Sequence, residues 1–488
     1  MFKKRQFLHS VKWVLVSNWG REGILSLVTF ILAAILGPTD FGTVAIAYIY
    51  IAFVQMFVGL GFNATLIQKK DLNESHLDSV FWLVVILSLL LMAISIALSG
   101  WWANINHSVQ IKAVICSLSV LIPIQGLIIV QQALFHRKMD FKSLALRDNV
   151  SAFAGGVIGI SMALWGFGVW ALVGQQLSRA LLSLLLLWKL SDWRPSFKFS
   201  PSHAKETLNF SFKVFVGRIG DYFQGYSDAL LLGVFLGPQA VGLYRLATRI
   251  MRIPVALVSR AIHVVSLPQF SQFQDNTIEL KNTLLFCLRG STIITIPVVM
   301  GLSGASDLVM AVIGPKWLPA SKVLMILCIV GFVMSMTLFT GTLLQAIGKP
   351  GIQTTMTWCL AITNAVFFVA VGILFRKSSI TEQIVLFAAS RALVYTVFLP
   401  VNLFIASRYT GITLNDILRN VGPSVVTGSL IFLGIILLKS VNVFELTSPI
   451  FALAFAVGFS FLLWIGATLL LDRQIRQQVF GVLSKSSF

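Results

Sequence analysis

Three arginines follow one another at helical spacing in an otherwise apolar part of the sequence. Arg245, Arg249 and Arg252 are four and three residues apart, so successive turns on one face of a helix would each carry a guanidinium group. A guanidinium group binds two oxygens of a phosphate or a carboxylate at once and stays charged at every physiological pH. The spacing therefore predicts an anion-binding helix face, with a phosphate, a pyrophosphate or the carboxylate of an acidic sugar as the ligand.

Other charged residues also lie within apolar stretches. Arg21 and Glu22 belong to the first stretch, and the seventh carries Arg218, Asp221 and Asp228 on one helix face. A charge at the centre of a bilayer costs about 2.5 to 3.5 kcal/mol on insertion scales, so such residues face a water-filled cavity or an opposite charge. The predicted cargo-binding residues of a cationic cavity are Arg21, Arg218, Arg245, Arg249 and Arg252. The acidic residues predicted either to pair with them or to couple transport to an ion are Glu22, Asp221 and Asp228.

An alternative interpretation gives these charges no cargo. Arginines near a membrane surface extend to lipid headgroups, and acidic residues pair with arginines merely to hold helices together. The sequence favours this alternative for Arg179, Lys213 and Arg260, which lie near the predicted cytoplasmic ends of helices. For the acidic residues, pairing and ion coupling both stay open.

The composition defines the elements that must position these charges. Of the 488 residues, 57% are hydrophobic and only 11% are charged, which is typical of a polytopic membrane protein and leaves no stretch for a soluble domain. Splitting the apolar stretches at turn signals predicts an all-α fold with about fourteen transmembrane helices. They begin near Val11, Phe41, Val80, Ala113, Leu144, Phe167, Leu208, Gln239, Gly290, Val323, Ile352, Gln383, Pro423 and Ser448.

The distribution of basic residues orients these helices. With a cytoplasmic N-terminus, 22 of the 37 Lys and Arg residues, Arg147 among them, fall in predicted cytoplasmic segments, six fall on the opposite side and nine lie within the spans. Because cytoplasmic segments carry the excess of Lys and Arg, this bias predicts an even helix count and a multi-pass protein with two cytoplasmic termini. Topology and contact with anionic membrane lipids explain the net charge of +19, so no nucleic-acid partner is predicted.

A short turn occurs twice in the sequence. "LGPTDFG" ends at Gly42 and "LGPQAVG" ends at Gly242, and the alignment of residues 16–42 with 216–242 also matches Gly20 with Gly220. Because six predicted helices separate the turns, the repeats are parallel, which predicts two six-helix lobes with a cavity that opens to alternate sides. The predicted domains are an N-terminal lobe (1–190), a cytoplasmic linker (191–207), a C-terminal lobe (208–410), and two additional helices with a cytoplasmic tail (411–488).

No pattern in the sequence indicates a cofactor, a metal site or catalysis. The four cysteines lie in apolar surroundings without a CxxC pair, and the six histidines lack the spacing of metal ligands. No nucleotide-binding loop or nucleophile elbow is present. We therefore predict a protein that is not an enzyme.

Several segments together resemble a known family. They are LGPTDFGTVAIAY (36–48), GFNATLIQKKDLNESHLDSVFW (61–82), LFHRKMDFKSLALRD (134–148), GFGVWALV (166–173), GLYRLATRI (242–250), IGPKWLPA (313–320) and LLQAIGKP (343–350). They resemble the polysaccharide transporter family, Wzx-type flippases of the multidrug/oligosaccharidyl-lipid/polysaccharide exporter superfamily, and within it the colanic-acid-exporter-like branch. The resemblance covers roughly residues 1–410.

The resemblance implies a fold of two six-helix lobes plus two helices. It also implies a function, which is translocation of an undecaprenyl-diphosphate-linked oligosaccharide, such as a repeat unit of O-antigen or another polysaccharide, from the cytoplasmic to the outer leaflet. The cationic cavity it implies agrees with the arginine spacing. The location it implies is the bacterial inner (plasma) membrane. Polysaccharide polymerase machinery is then a candidate partner, and lipopolysaccharide or another surface polysaccharide is the end product.

Two other functions compete with this one. A multidrug exporter of the same fold would be expected to carry more acidic and fewer basic groups in its cavity than this sequence supplies. A polysaccharide polymerase or a polyprenyl-dependent glycosyltransferase needs a large extramembrane loop, whereas the longest predicted outer loop, near Gly100 to Ile111, has about ten residues and no carboxylate. The sequence favours the flippase over both.

Overall fold

The chain folds into long helices in the computed structural model. The structure describes residues 2–59, 62, 66–67, 73–441, 443 and 448–471, and within these ranges the side chains of residues 2–18, 202–218, 221, 260–261 and 263–265 are not described. The helices of the N-terminal half are α1 (Phe2–Ile35), α2 (Pro38–Gly59), α3 (Glu74–Ile105), α4 (Gln110–Leu118), α5 (Leu121–Arg137), α6 (Phe141–Leu164), α7 (Val169–Leu190) and α8 (Pro201–Gln272). They are followed by α9 (Thr277–Gly304), α10 (Ser306–Ile313), a 3₁₀ helix (Pro315–Ala320), α11 (Ser321–Ala346), α12 (Pro350–Leu374), α13 (Ile380–Thr410), α14 (Leu414–Ser440) and α15 (Pro449–Leu471).

The predicted all-α membrane fold is confirmed. The described residues contain no β-strand, and eleven helical segments among them are long and apolar enough to cross a membrane. Two helices, α1 and α6, are not among the eleven, although the sequence predicts a span at each of them. α8 contributes one such segment, whereas the sequence predicts two spans there, with the second beginning near Gln239. α6 carries Arg147, Asp148 and Asn149 in its N-terminal half, which makes it less apolar than the other spans. The total of fourteen stays a prediction.

The chain divides into two compact units, Met1–Arg245 and Leu246–Phe488, and the division falls within α8. In the first unit, α6 packs closely against α1 and α7 because glycines on two of its faces leave room for the neighbouring helices. A Cβ atom on Gly156 would lie 2.4 Å from Val28 Cγ2 of α1, and one on Gly159 would lie 2.7 Å from Gln175 Cβ of α7. The predicted boundaries of the lobes, the linker and the two additional helices stay predictions.

A non-helical segment of residues 191–200 connects α7 to α8 and is fixed to α3. The buried Asp78 carboxylate accepts hydrogen bonds from the backbone N–H of Ser196, at 2.9 Å, and from the Ser196 hydroxyl. The Trp82 indole donates a hydrogen bond of 2.8 Å to the Ser196 carbonyl and stacks on Phe197 with ring centroids 5.0 Å apart. These contacts fix the point at which α8 begins.

The two similar turns of the sequence meet within the first unit. A Cβ atom on Gly42 would lie 1.6 Å from the Pro238 carbonyl oxygen, and one on Gly242 would lie 1.9 Å from the Pro38 carbonyl oxygen. The contact is reciprocal, because each glycine approaches the proline that precedes the other glycine in the aligned turns. Gly237 has φ +75°, a conformation that favours glycine, and breaks α8 just before Pro238. Both turns therefore require glycine at positions 42 and 242, because any side chain would overlap the backbone of the other turn.

In the second unit, ion pairs hold both ends of α14. Near its N-terminus, Asp416 Oδ2 lies 2.6 Å from Lys281 Nζ of α9. Near its C-terminus, Lys439 bonds to Asp307 and to the Gly304 carbonyl oxygen. Apolar side chains of α9, α11, α13 and α14 fill the core between these helices, with Phe339 and Leu343 fully buried.

Candidate anion-binding cavity

A polar cavity of about 390 Å³ lies within the first unit. It is lined by α1, residues 48–59 of α2, α5, the N-terminal half of α6 and the middle of α7. At 1.5 Å per residue, Arg147 lies about 9 Å from the start of α6, whereas Arg179 lies about 15 Å from the start of α7 and about 16 Å from its end. On α6 the cavity is therefore near the helix end that the sequence analysis assigns to the cytoplasm, and on α7 it is halfway along the helix.

Asp148 joins two arginines of this cavity. The Nε and Nη2 atoms of Arg147 donate hydrogen bonds of 2.9 and 2.6 Å to Asp148 Oδ1, and Arg21 Nη1 lies 3.5 Å from Asp148 Oδ2. The Arg147 side chain is 8% exposed, that of Asp148 17% and that of Arg21 34%. Arg147 Nη1 is buried and has no hydrogen-bond partner within the described part of the chain. Both carboxylate oxygens of Asp148 thus contact an arginine, while the Nη1 nitrogen of Arg147 has no acceptor within the described part of the chain.

Local sequence explains how α6 and α1 bring these charges together. Asp140 caps α6 by accepting hydrogen bonds from the backbone N–H and the hydroxyl of Ser143, which fixes the start of the helix two turns before Arg147. On α1, a Cβ atom on Gly20 would lie 2.4 Å from Asn149 Oδ1, so the absence of a side chain at Gly20 leaves room for the Asn149 carboxamide between α1 and α6. Because Arg21 follows Gly20 and Asp148 precedes Asn149, this approach places the two side chains within reach of each other.

Arg179 is the third arginine of the cavity, and α7 carries it. A Cβ atom on Gly155 of α6 would lie 2.8 Å from Arg179 Cβ, so α6 packs directly against the backbone from which this side chain extends. Arg179 forms no ion pair within the described part of the chain, in contrast to Arg21 and Arg147. Its charge is the one that Asp148 does not compensate.

Uncharged polar side chains form the remaining polar lining. The Gln55 side chain already has a partner within the protein, because its Nε2 donates a hydrogen bond of 3.2 Å to the Leu121 carbonyl oxygen. Gln125, Gln132 and Gln176 also line the cavity and form no hydrogen bond within the described part of the chain. A carboxamide donates and accepts hydrogen bonds, as sugar hydroxyl groups do. The cavity can therefore bind a polar ligand that carries both an anion and hydroxyl groups.

The structure distributes the predicted site residues among different environments. Arg21 lines the cavity, while its neighbour Glu22 does not. Arg245 Nη1 donates a long hydrogen bond of 3.4 Å to the Gly225 carbonyl oxygen, and its guanidinium carbon lies 5.2 Å from the centre of the Tyr226 ring. Asp228 is buried and accepts a hydrogen bond of 2.7 Å from the backbone N–H of Ala229.

The remaining predicted residues belong to α8. Arg249 and Arg252 lie in the second unit, on one face of the helix as their spacing predicts, and both are partly buried. The side chains of Arg218 and Asp221 lie outside the described residues, so their predicted roles stay predictions. The cargo-binding and ion-coupling roles of all eight predicted residues likewise stay predictions.

The sequence analysis overlooks Asp148, assigns Arg147 to the cytoplasmic excess of basic residues, and favours lipid headgroups as the partners of Arg179. The structure places all three residues at the cavity. One signal was available for the first two, because the predicted span that begins near Leu144 already contains Arg147 and Asp148. No comparable signal marks Arg179, whose position depends on how closely α7 packs against Gly155.

A second cavity of about 360 Å³ has a different character and lies in the second unit. Side chains of α9, α10, α14 and α15 line it, and no charged residue is among them. An anion would gain nothing there, so the polar cavity of the first unit is the better candidate site for a charged cargo.

Comparison with known families identifies the chain. Residues 31–322 match the family described as "Polysaccharide biosynthesis protein", which is more than half of the sequence. The chain is a member of the polysaccharide biosynthesis protein family. The resemblance found in the sequence, to Wzx-type polysaccharide transporters, is thereby confirmed.

Curated relatives of this polysaccharide biosynthesis protein include two named for surface polysaccharides. The succinoglycan biosynthesis transport protein ExoT of Rhizobium meliloti (strain 1021) is 26% identical over 457 residues, which cover 88% of this chain and 92% of ExoT. The lipopolysaccharide biosynthesis protein WzxC of Escherichia coli (strain K12) is 26% identical over 354 residues, which cover 71% of each chain.

Solved structures share the fold of this polysaccharide biosynthesis protein. The lipid II flippase MurJ, in an inward closed conformation, superposes with a TM-score of 0.74 and 14% identity, covering 95% of this chain and 99% of MurJ. An inward-facing multidrug resistance MATE transporter of the MOP superfamily superposes with a TM-score of 0.62 and 15% identity, covering 80% of this chain and 96% of the transporter. At these identities the match shows the fold, and the chain is a multi-pass membrane protein of that fold.

Proposed function

We propose that this protein is a flippase that moves an oligosaccharide linked to a polyprenyl diphosphate, in bacteria undecaprenyl diphosphate, from the cytoplasmic to the outer leaflet by alternating access. The observation that carries the proposal is the cavity of the first unit. Three arginines and one aspartate line it, together with glutamines that form no hydrogen bond within the described part of the chain. This lining has two positive charges in excess, and a diphosphate diester carries a negative charge on each phosphate at neutral pH.

The position of Arg147 and Asp148 supports the direction of transport. Both lie in the N-terminal half of α6, toward the helix end that the positive-inside bias assigns to the cytoplasm, where both termini are proposed to lie. The arginines bind the diphosphate and any acidic sugar, the glutamines bind sugar hydroxyl groups, and the polyprenyl tail stays in the lipid. Arg218, Arg245, Arg249 and Arg252 extend the path of the headgroup, and Glu22, Asp221 and Asp228 pair with these arginines or couple transport to an ion.

Names of relatives support the same cargo class. ExoT is named a transport protein of succinoglycan biosynthesis, and Agl15 of Haloferax volcanii, 30% identical over 189 residues, is named a probable low-salt glycan biosynthesis flippase. These names also favour a transporter over a polymerase or a glycosyltransferase. We further propose the bacterial inner membrane as the location and the polysaccharide polymerase machinery as the partner that receives the product.

The similarity to MATE transporters keeps a multidrug exporter as the second candidate. Such an exporter would be expected to have more acidic than basic groups in its cavity, whereas the lining of this cavity has an excess of two positive charges. The sign of the charge therefore favours the lipid-linked oligosaccharide.

Reconstitution tests the proposal directly. The purified chain is placed in vesicles that contain a fluorescent polyprenyl-diphosphate oligosaccharide, and exposure of the label at each leaflet is followed with a membrane-impermeant quencher. We expect protein-dependent translocation, and we expect Arg179→Gln to slow it at least tenfold, because this side chain has no ion pair to satisfy and its loss removes one cargo contact. The matched control is Arg376→Gln, which changes an exposed arginine between α12 and α13.

Two outcomes contradict the proposal. One is the absence of protein-dependent translocation, and the other is transport of a cationic dye with no response to the lipid-linked oligosaccharide. The double variant Arg249→Ala with Arg252→Ala tests the second unit in the same assay, where full activity would remove these residues from the path of the cargo.

A further inference from the structure

Asp148 occupies the place in which an anionic ligand would be bound. It contacts two of the three arginines of the cavity, and both of its carboxylate oxygens take part. Arg21, Arg147 and Arg179 supply three positive charges, and Asp148 is the one acidic residue among the residues that line this cavity. We infer that Asp148 is an internal counter-anion, which the diphosphate of the cargo displaces from Arg147 and Arg21 and which returns to them when the cargo leaves.

The geometry of the Arg147 pair favours such an exchange. Nε and Nη2 converge on the single atom Oδ1, because the carboxylate belongs to the next residue in the chain and its side chain is short. The stronger arrangement for a guanidinium group is two parallel hydrogen bonds to two oxygens. A phosphate entering from the cavity can offer two oxygens in that arrangement, which Asp148 does not achieve.

The third nitrogen of the Arg147 guanidinium group gives a second and independent indication that an anion replaces Asp148. Nη1 is buried without a hydrogen-bond partner in the described part of the chain, although Arg147 is only 7% exposed. A buried donor that lacks an acceptor costs free energy, and an oxyanion in the cavity would remove this cost. The internal carboxylate is therefore an incomplete substitute for a ligand that has more oxygens.

Charge arithmetic assigns Asp148 a role in selectivity and release. With Asp148 ionised, the three arginines leave an excess of two positive charges, which matches the two charges of a diphosphate diester. Without Asp148 the excess is three, so the cavity holds anions more tightly and releases them more slowly. Asp148 is thus a positioning and selectivity residue that limits the affinity for anions so that the cargo can leave.

Equilibrium binding of inorganic pyrophosphate to the purified full-length protein tests this inference separately from transport. We expect Asp148→Asn to bind pyrophosphate about tenfold more tightly than the wild type, because the competing charge-assisted hydrogen bonds weaken. Asp148→Glu keeps the charge and should stay within about threefold of the wild type. The matched control is Asp192→Asn, which alters an exposed ion pair with Lys138 and should leave the affinity unchanged.

A purely structural role of Asp148 predicts no gain, or a loss, of pyrophosphate affinity in Asp148→Asn. If Asp148 only holds Arg147 and Arg21 in place, Asp148→Asn binds pyrophosphate equally or more weakly, and the inference is wrong. Should this variant fail to fold, Asp148→Asn combined with Arg21→Gln restores the excess of two charges and is expected to bind within about threefold of the wild type. Loss of binding in a folded double variant would overturn the inference.

The inference depends on the proposed function for the identity of the anion, and the two fail in different assays. In the vesicle assay, Asp148→Asn should move the fluorescent lipid-linked oligosaccharide more slowly at saturating cargo while binding pyrophosphate more tightly. A wild type that binds pyrophosphate but moves no lipid-linked oligosaccharide contradicts the proposed function alone. A wild type that moves the cargo, together with an Asp148→Asn variant that gains no affinity, contradicts the inference alone.

Discussion

Asp148 and its two arginines show how one carboxylate can stabilise a group of cations inside a helix bundle. Three guanidinium groups near one another would repel, and the partly buried carboxylate reduces this repulsion for two of them. The arrangement is unequal, since Arg147 is nearly buried and bonds at 2.6 Å while Arg21 is one-third exposed and lies at 3.5 Å. The two arginines should therefore differ in their contribution to stability.

Replacing Arg147 should destabilise the protein more than replacing Arg21. Arg147→Gln leaves the Asp148 carboxylate without its close partner in a site of low exposure, which should lower the free energy of unfolding by about 3 kcal/mol. Arg21→Gln removes a longer and more exposed contact and should cost less than about 1 kcal/mol. Denaturation of the two variants in the same detergent, followed by tryptophan fluorescence, measures the difference. Equal losses would contradict the unequal burial that the structure shows.

At the scale of the elements, small residues decide where the charges lie. Gly155 lets α7 approach α6 at the backbone of Arg179, and Gly20 lets α1 approach α6 beside Asp148. The three arginines are distributed over three helices, with Arg21 next to the Gly20 contact and Arg179 directly opposite Gly155. The site is thus a consequence of helix packing as much as of its own residues.

Gly155→Ala should impair transport without altering any polar group. The added Cβ atom would lie 2.8 Å from Arg179 Cβ and 3.0 Å from the Gln175 carbonyl oxygen, so α7 must move away and the unfolding free energy should fall by about 1 to 3 kcal/mol. We expect a several-fold lower translocation rate in the vesicle assay. Gly458→Ala is the matched control, because nothing lies within 4 Å of that position in α15. Equal rates for the two variants would show that the close α6–α7 contact does not position Arg179.

At the scale of the whole molecule, the basic residues give a testable orientation. Asp192 lies in the segment between α7 and α8, on the side predicted to be cytoplasmic, whereas Lys377 lies between α12 and α13 on the opposite side. Both side chains are exposed, so each position suits a reporter cysteine.

Labelling of single cysteines in whole cells checks this orientation. The four native cysteines, none of which forms a disulfide, are first replaced by serine or alanine. In that background we expect Lys377→Cys to react with a membrane-impermeant maleimide in intact cells, and Asp192→Cys to react only after the cells are opened. The reverse pattern would invert the topology, and the N-terminus of α6 beside the polar cavity would then lie on the outer side.

The class of fold, the family and the sign of the charge in the membrane were all predictable from the amino-acid sequence. Hydropathy and the positive-inside bias depend on composition along the chain, and a bilayer acts on each span separately, so these properties can be read without a tertiary structure. The turns ending at Gly42 and Gly242 were likewise recognisable, because glycine and proline restrict the local backbone in defined ways. Arg21 was identified for the same kind of reason, as a charge at a depth where few charges occur.

Which charges share a site depends on how the helices pack and could not be predicted from the sequence. Arg21 lies more than a hundred residues before Arg147 in the sequence, and Arg179 follows Arg147 by 32 residues. The three meet because Gly20 and Gly155 let α1 and α7 pack against α6. The same holds for the two turns, whose similarity is visible in the sequence but whose reciprocal contact at Pro38 and Pro238 is not. Contacts between distant helices depend on the shapes of both surfaces and on distances of a few tenths of an ångström, and a periodic pattern in one helix carries no information about its partner.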